Sequence, residues 1–256
     1  MSVNIAVIGD THTGSVAGLI GPSYWAEQVK IQQSLFWGWY VNALKDYGPW
    51  DMVIGLGDAV DGPGRKESIS TLISDTLEQT KAAEEVYLAP EVPGNKIFMV
   101  RGTPFHSTGT YNFEDPLANA LGASIADEQL LNIHGLHIFS RHTVSRSDTA
   151  YGQGTPLFRE SIRDLLDSVA NNIESADLVL RGHVHYYARM TIGYRTAISN
   201  PCLQLPGTVF GRKCTGAYYH VGFGKLVVRS QRDWDYFPIL MPISSVKKRE
   251  YTKVEG

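Results

Sequence analysis

Short apolar runs rich in β-branched residues punctuate the first two-thirds of the chain. Residues 3–8 (Val-Asn-Ile-Ala-Val-Ile), 51–56, 96–100 and 177–180 each have the length and composition of a buried strand. Between the first two, Val29, Gln33, Phe36, Trp37, Tyr40 and Leu44 recur at helical spacing and predict a helix over 24–47, stopped by Gly48-Pro49. Ile69, Leu72, Ile73, Thr76, Leu77 and Thr80 predict a second helix over 68–88. Residues 114–121 read as a short helix stopped by Gly122, and residues 130–133 and 136–141 as a hairpin around His134-Gly135. Thr155-Pro156 opens another helix, with Leu157, Ile162, Leu165, Leu166 and Val169 as its apolar face.

Strand and helix therefore alternate, which predicts an α/β sandwich with its chemistry at the carboxyl ends of the strands. After residue 185 the pattern changes to strands over 188–198, 201–205, 218–228 and 236–240, expected to form a mostly antiparallel second sheet packed on the first. The aromatic cluster Phe36, Trp37, Trp39 and Tyr40 reads as core packing rather than a base-stacking platform.

Composition narrows the picture modestly. The 256 residues are 43% hydrophobic and 19% charged, as expected of one domain spanning 1–256. A net charge of -3 carries no basic excess of the kind that drives non-specific nucleic-acid binding. Cys202 and Cys214 lack metal-binding spacing and are expected to be reduced thiols. Neither a signal-peptide pattern nor an apolar run of about 18 residues occurs, so a cytoplasmic protein without a membrane partner is expected. Lys247-Lys248-Arg249 reads as a solvated terminus.

The polar residues after the strands change the picture most. Asp10 and His12 follow the first, Asp58 and Asp61 the second, and Thr103 and His106 the third. His142 follows the hairpin, and His183 and His185 follow the strand at 177–180. In extended chain, residues two apart point the same way, so Asp10 and His12 are expected to reach one point. Asp-x-His alone is common. Repetition of such chemistry at successive strand ends is not a chance pattern. Carboxylate and imidazole without thiolate suit Mn, Fe, Zn, Co or Ni better than an all-oxygen Ca or Mg cage. The donors outnumber the needs of one ion and suit two, about 3.5–4 Å apart and sharing a carboxylate.

With these residues in view, the sequence resembles the calcineurin-like metallophosphoesterases. Their pattern is D-x-H, GDxxD, GNH, a lone His and GHxH. Here it stands as Asp10-Thr11-His12, Gly57-Asp58-Ala59-Val60-Asp61, Gly102-Thr103, His142 and Gly182-His183-Val184-His185, in order over residues 3 to about 185. The resemblance implies a four-layer α/β/β/α sandwich holding two divalent transition-metal ions, manganese first, with Fe, Zn, Ni, Co or Mg as alternatives. By position, Asp10, His12 and His185 would hold the first ion, Asp58 would bridge, and His142 and His183 would hold the second. Asp61 would shape the loop.

One motif departs from the family, because Thr103-Pro104 stands where it has asparagine and histidine. Thr103 then becomes a neutral oxygen ligand, and His106 a ligand or the catalytic acid. Gly-Thr-x-x-His is similar to phage-encoded members. Arg65, Arg141 and Arg146 flank the motif loops and are candidate phosphate clamps. The function implied is hydrolysis of phosphodiester bonds by metal-activated water, with DNA or a nucleotide as candidate substrate. The alternatives are a phosphomonoesterase or protein phosphatase, and a catalytically weakened scaffold of the same fold. Gly57-Asp58-Ala59-Val60-Asp61 is similar to the protein-phosphatase motif, but Gly62 replaces the arginine that follows there.

Overall fold

The computed structural model describes residues 1–63, 71–104, 112–147, 149–206 and 219–242. The first apolar run is β1 (Val3–Ile8), and β2 (Met52–Gly55), β3 (Ile97–Val100) and β4 (Ser124–Ala126) line up parallel beside it in turn. The two-residue period of a strand sends Ala6 and Ile8 to one side and Ile5 and Val7 to the other, and all four are fully buried. Such a sheet needs cover on both faces.

Cover on one face comes from α1 (Lys30–Tyr47), α2 (Thr76–Leu88) and α3 (Glu114–Leu121). Phe36, Tyr40, Val86, Tyr87 and Leu117 from these helices pack with Ala6, Ile8, Val53 and Met99. Cover on the other face is a second sheet, built from β5 (Glu128–Ile133), β6 (Leu136–Arg141), β7 (Leu178–Arg181), β8 (Ala188–Ile192) and β9 (Arg195–Ser199) in the order β5-β6-β7-β9-β8. Ile5, Val7, Ile54 and Leu56 meet Ile138, Leu178, Leu180 and Ile198 between the sheets. Leu157 of α4 (Gly154–Asn171) packs with Val179 and Ala197 on the far side of the second sheet. The layers are therefore α/β/β/α, as the motif resemblance implies.

Several element expectations are corrected. The chain forms a short 3-10 turn at Pro22–Tyr24, and α1 starts only at Lys30. Helix α2 starts at Thr76 because the Asp75 carboxylate accepts from the Leu77 and Glu78 amides and caps it there. Its inward face is Gln79, Thr80, Ala82, Ala83, Val86 and Tyr87, while Leu77 is exposed and Ile69 lies outside the described residues. Residues 188–198 fold as two strands around Gly193, whose φ of +61° permits the tight reversal.

On α4, Leu166 and Val169 are exposed, and Ser161 and Ser168 take buried positions instead. Residues 201–205 make only isolated bridges. The last hairpin, β10 (Gly222–Ser230) and β11 (Asp233–Leu240), joins the first sheet rather than the second. It pairs antiparallel along β1 from Val3 opposite Val228 to Val7 opposite Gly224, and so closes an edge that β1 would otherwise present. Phe223 on that hairpin sits among Trp39, Tyr40 and Trp50, which makes the aromatic cluster of α1 core.

Candidate metal centre

Strands β1 and β2 end side by side, and the loops after them stay zipped. The Asp10 amide donates to Gly57 O, His12 to Asp58 O and Thr13 to Ala59 O, all at 2.9–3.0 Å. Asp10 and His12 do converge, but through turns rather than extended backbone: their φ angles are +51° and +42°. Asp58 at +49°, His183 at +73° and His185 at +57° share this left-handed conformation. For a residue with a Cβ it costs on the order of 1–3 kcal/mol, and such strain collects where function requires a particular geometry.

These turns gather two clusters. Asp10, His12 and His185 form one, and Asp58, His142 and His183 the other; within each, the donor atoms lie within 4.8 Å of one another. In the first, His12 Nε2 faces His185 Nε2 at 3.2 Å, and His185 Nε2 is 3.3 Å from Asp10 Oδ1. In the second, His142 Nε2 is 3.0 Å from Asp58 Oδ2. All are buried except His183, which is half-buried. The clusters abut, since the His183 amide donates to both Asp10 oxygens at 3.0 Å and the rings of His142 and His183 meet at 5.2 Å.

The donor chemistry fits divalent ions. Two imidazole lone pairs approach each other only with a proton or a cation between them. His142 Nδ1 donates to the Leu56 carbonyl at 2.5 Å, which leaves Nε2 as the coordinating atom. The Tyr219 hydroxyl donates to Gln204 Oε1 at 3.3 Å, so His185 Nδ1–H donates to the Tyr219 oxygen at 3.0 Å and Nε2 is again the nitrogen turned toward the cluster.

The electrostatics point the same way. Burial raises the Asp10 carboxyl, but the imidazoles of His185 and His142 outweigh it and hold the group below its ordinary value. Burial lowers His142, but Asp58 outweighs that and pushes it up to about 10. Burial, then the neighbouring His142, lowers His183. Buried carboxylates here draw positive charge onto their neighbours, a need that a metal ion meets directly.

The remaining expectations divide. Thr103 lies against Asp58, with its amide 2.6 Å from Oδ1 and its hydroxyl 3.1 Å from the same oxygen. Asp61 Oδ1 is 3.6 Å from His12 Nδ1. Arg141 is drawn toward Glu128 and Thr143, next to the site but engaged in its own strand pair. Arg146 is half-buried on the loop after β6. His106 and Arg65 lie outside the described residues.

Two contributors escape the motif reading. Tyr219 backs His185. Glu114 accepts from the Ala59 amide at 2.7 Å and the Gly102 amide at 2.5 Å. Gly102 itself must be glycine, because a Cβ there would lie 2.1 Å from Asp58 Oδ1. Tyr219 lies 34 residues from His185 and Glu114 lies 55 from Ala59, beyond the reach of a local pattern.

No protein-family model matches the chain, and no curated protein matches its sequence. Solved structures with a similar course of chain include an archaeal phosphodiesterase, at 14% identity and a TM-score of 0.47, covering 93% of this chain and 100% of that one. A predicted phosphoesterase from Streptococcus pneumoniae is 14% identical, with a TM-score of 0.41 over 93% of this chain and 99% of that one. A zinc complex of Vps29 from Entamoeba histolytica is 12% identical, with a TM-score of 0.44 over 93% and 99%. By its own layers, the order of its motifs and the residues they bring together, the chain has the fold of the calcineurin-like metallophosphoesterases that its sequence resembles.

Proposed function

We propose that the protein is a divalent-metal-dependent phosphoesterase that cleaves phosphodiester bonds, with a nucleotide or nucleic acid as substrate. The observation that supports this reading is the pair of abutting carboxylate–imidazole clusters. Asp10, His12 and His185 would hold one ion, and His142 and His183 the other, with Asp58 shared between them. Manganese is the first candidate, given the mixed oxygen and nitrogen donors. When bound, two such ions supply Lewis-acid stabilisation of the phosphoryl oxygens and a water acidic enough to attack near neutral pH.

The chain's own residues orient these donors. Leu56 O and Tyr219 fix which imidazole nitrogen is offered, and the Thr103 amide and hydroxyl hold the Asp58 carboxylate. His106 is the proposed proton donor to the leaving group, and Arg65, Arg141 and Arg146 are the proposed phosphate contacts. The reading takes the chain as one domain acting in the cytoplasm. Among the described residues, no helix is long and apolar enough to cross a membrane.

A panel of activated phosphodiesters and monoesters, with single- and double-stranded DNA, assayed with Mn, Ni and Mg, tests the class. Diester cleavage that needs added metal is expected. Asp58→Ala should lower it by at least about a hundredfold, since both the bridge and the second cluster lose their carboxylate. Wild-type rates in Asp58→Ala would rule the mechanism out, and a preference for monoesters would select the phosphatase alternative.

A further inference from the structure

Glu114 opens α3, away from every recognisable motif, yet only 3% of it is exposed. A carboxylate so deeply buried needs compensation. Among the described residues, no arginine or lysine hydrogen-bonds it. It is held instead by two backbone amides, one per oxygen: Ala59 N on Oε1 at 2.7 Å and Gly102 N on Oε2 at 2.5 Å. Ala59 directly follows Asp58, and Gly102 directly precedes Thr103. The two oxygens of one side chain thus tie the loop after β2 to the loop after β3, immediately beside Asp58 and Thr103.

The contact between those loops is tight. The Thr103 amide bonds Asp58 Oδ1 at 2.6 Å, and Gly102 has no room for a Cβ. The carboxylate is itself well anchored: the Glu114 amide donates to Asn112 Oδ1 at 2.8 Å, and Leu117, Ala118 and Leu121 seat α3 in the core. A rigid helix therefore presents a two-pronged acceptor to both loops at once.

We infer that Glu114 is a positioning residue: it clamps the two loops so that Asp58 is held in ligand geometry for the second ion, with no contact to ion or substrate. The loop clamp stands on the hydrogen bonds alone. Its consequence for metal rests on the proposed two-ion function. Thr103 stands where the related motif carries an asparagine ligand, so the second ion depends more heavily on the placement of Asp58. The clamp supplies that placement.

The test uses the full chain and Glu114→Gln, which keeps the volume but turns one acceptor into an amide donor facing a backbone N–H. Glu114→Asp, one methylene too short to reach both amides, is the second variant. Hydrogen exchange on chelated protein should show Ala59 and Gly102 protected in the wild type. It should show both exchanging at least tenfold faster in Glu114→Gln, with the β-strand amides unchanged. Calorimetric titration with Mn²⁺ should show the second ion weakened about tenfold or more, and the first, which keeps Asp10, His12 and His185, weakened less.

Unprotected amides in the wild type, or unchanged exchange in both variants, would overturn the clamp. Two unchanged ions, or both weakened equally, would overturn its selectivity for the second site. A wild-type chain that binds no Mn²⁺ would refute the proposed function, while the exchange data would still decide the clamp. If Glu114→Gln does not fold, Glu114→Asp and the wild-type exchange pattern carry the decision.

Discussion

Left-handed backbone at Asp10, His12, Asp58, His183 and His185 is the signature of a site whose geometry outranks local preference. Each of these residues aims a donor that an extended strand end would send elsewhere. Their identities were readable in the sequence because the motifs are short and follow each strand directly. Their convergence was not, because it depends on φ values that only the completed loops impose. The supporting shell was hidden more deeply. Tyr219 backs His185 from 34 residues away, and nothing about an isolated tyrosine marks it. Removing its hydroxyl should free Nδ1 and let the imidazole switch tautomer and orientation. Tyr219→Phe should therefore weaken the first ion by about 10–100-fold and leave the second nearly unchanged, as read by Mn²⁺ titration. An unchanged first affinity would show that the tyrosine does no more than fill space.

At the scale of elements, the buried parallel strands and the inward face of α1 were legible, and the faces of α2 and α4 only in part. A fully buried stretch of strand announces itself as an unbroken apolar run, as residues 5–8 and 53–55 do. Helix α4 misled in part, because Leu157 of its expected apolar face is buried while Leu166 and Val169 are exposed. Its seat on the second sheet is partly electrostatic. Arg181, at the end of β7 and 1% exposed, donates from Nε and Nη2 to Glu160 Oε2 at 3.2 and 2.9 Å and lies over the Phe139 ring. Periodicity of apolar residues cannot reveal a buried ion pair between a helix and a strand. Glu160→Ala would leave that guanidinium buried with only carbonyl partners, at a cost of about 3–5 kcal/mol. Denaturant unfolding should show the loss as a lower midpoint with an unchanged slope. A change below about 1 kcal/mol would mean that water reaches the arginine once the carboxylate is gone. The last hairpin was misplaced for a related reason, since no local feature of β10 says which sheet has an open edge.

Across the whole molecule, the two clusters do more than neighbour one another. Asp10, His12 and Asp58 leave the first sheet, while His142, His183 and His185 leave the second, and each cluster draws from both. Elsewhere the sheets are joined mainly by non-directional packing of Ile5, Val7, Ile54 and Leu56 against Ile138, Leu178, Leu180 and Ile198. An ion in either cluster is therefore a directional bond between layers, and it also neutralises carboxylates that the fold has buried beside each other. Because the donors come together only in the folded chain, ion binding must stabilise that chain. At a free concentration one hundred times the dissociation constant, one ion contributes about 2.7 kcal/mol. For a chain of this size that raises the melting temperature by roughly 5–10 °C. Melting in excess chelator should thus fall well below melting in excess Mn²⁺. Asp58→Ala should recover at most the first ion's share of the difference, since the bridge is lost as well. Coincident melts for the wild type would mean that the clusters hold no ion, and that the strain stored in the five left-handed residues serves some other end.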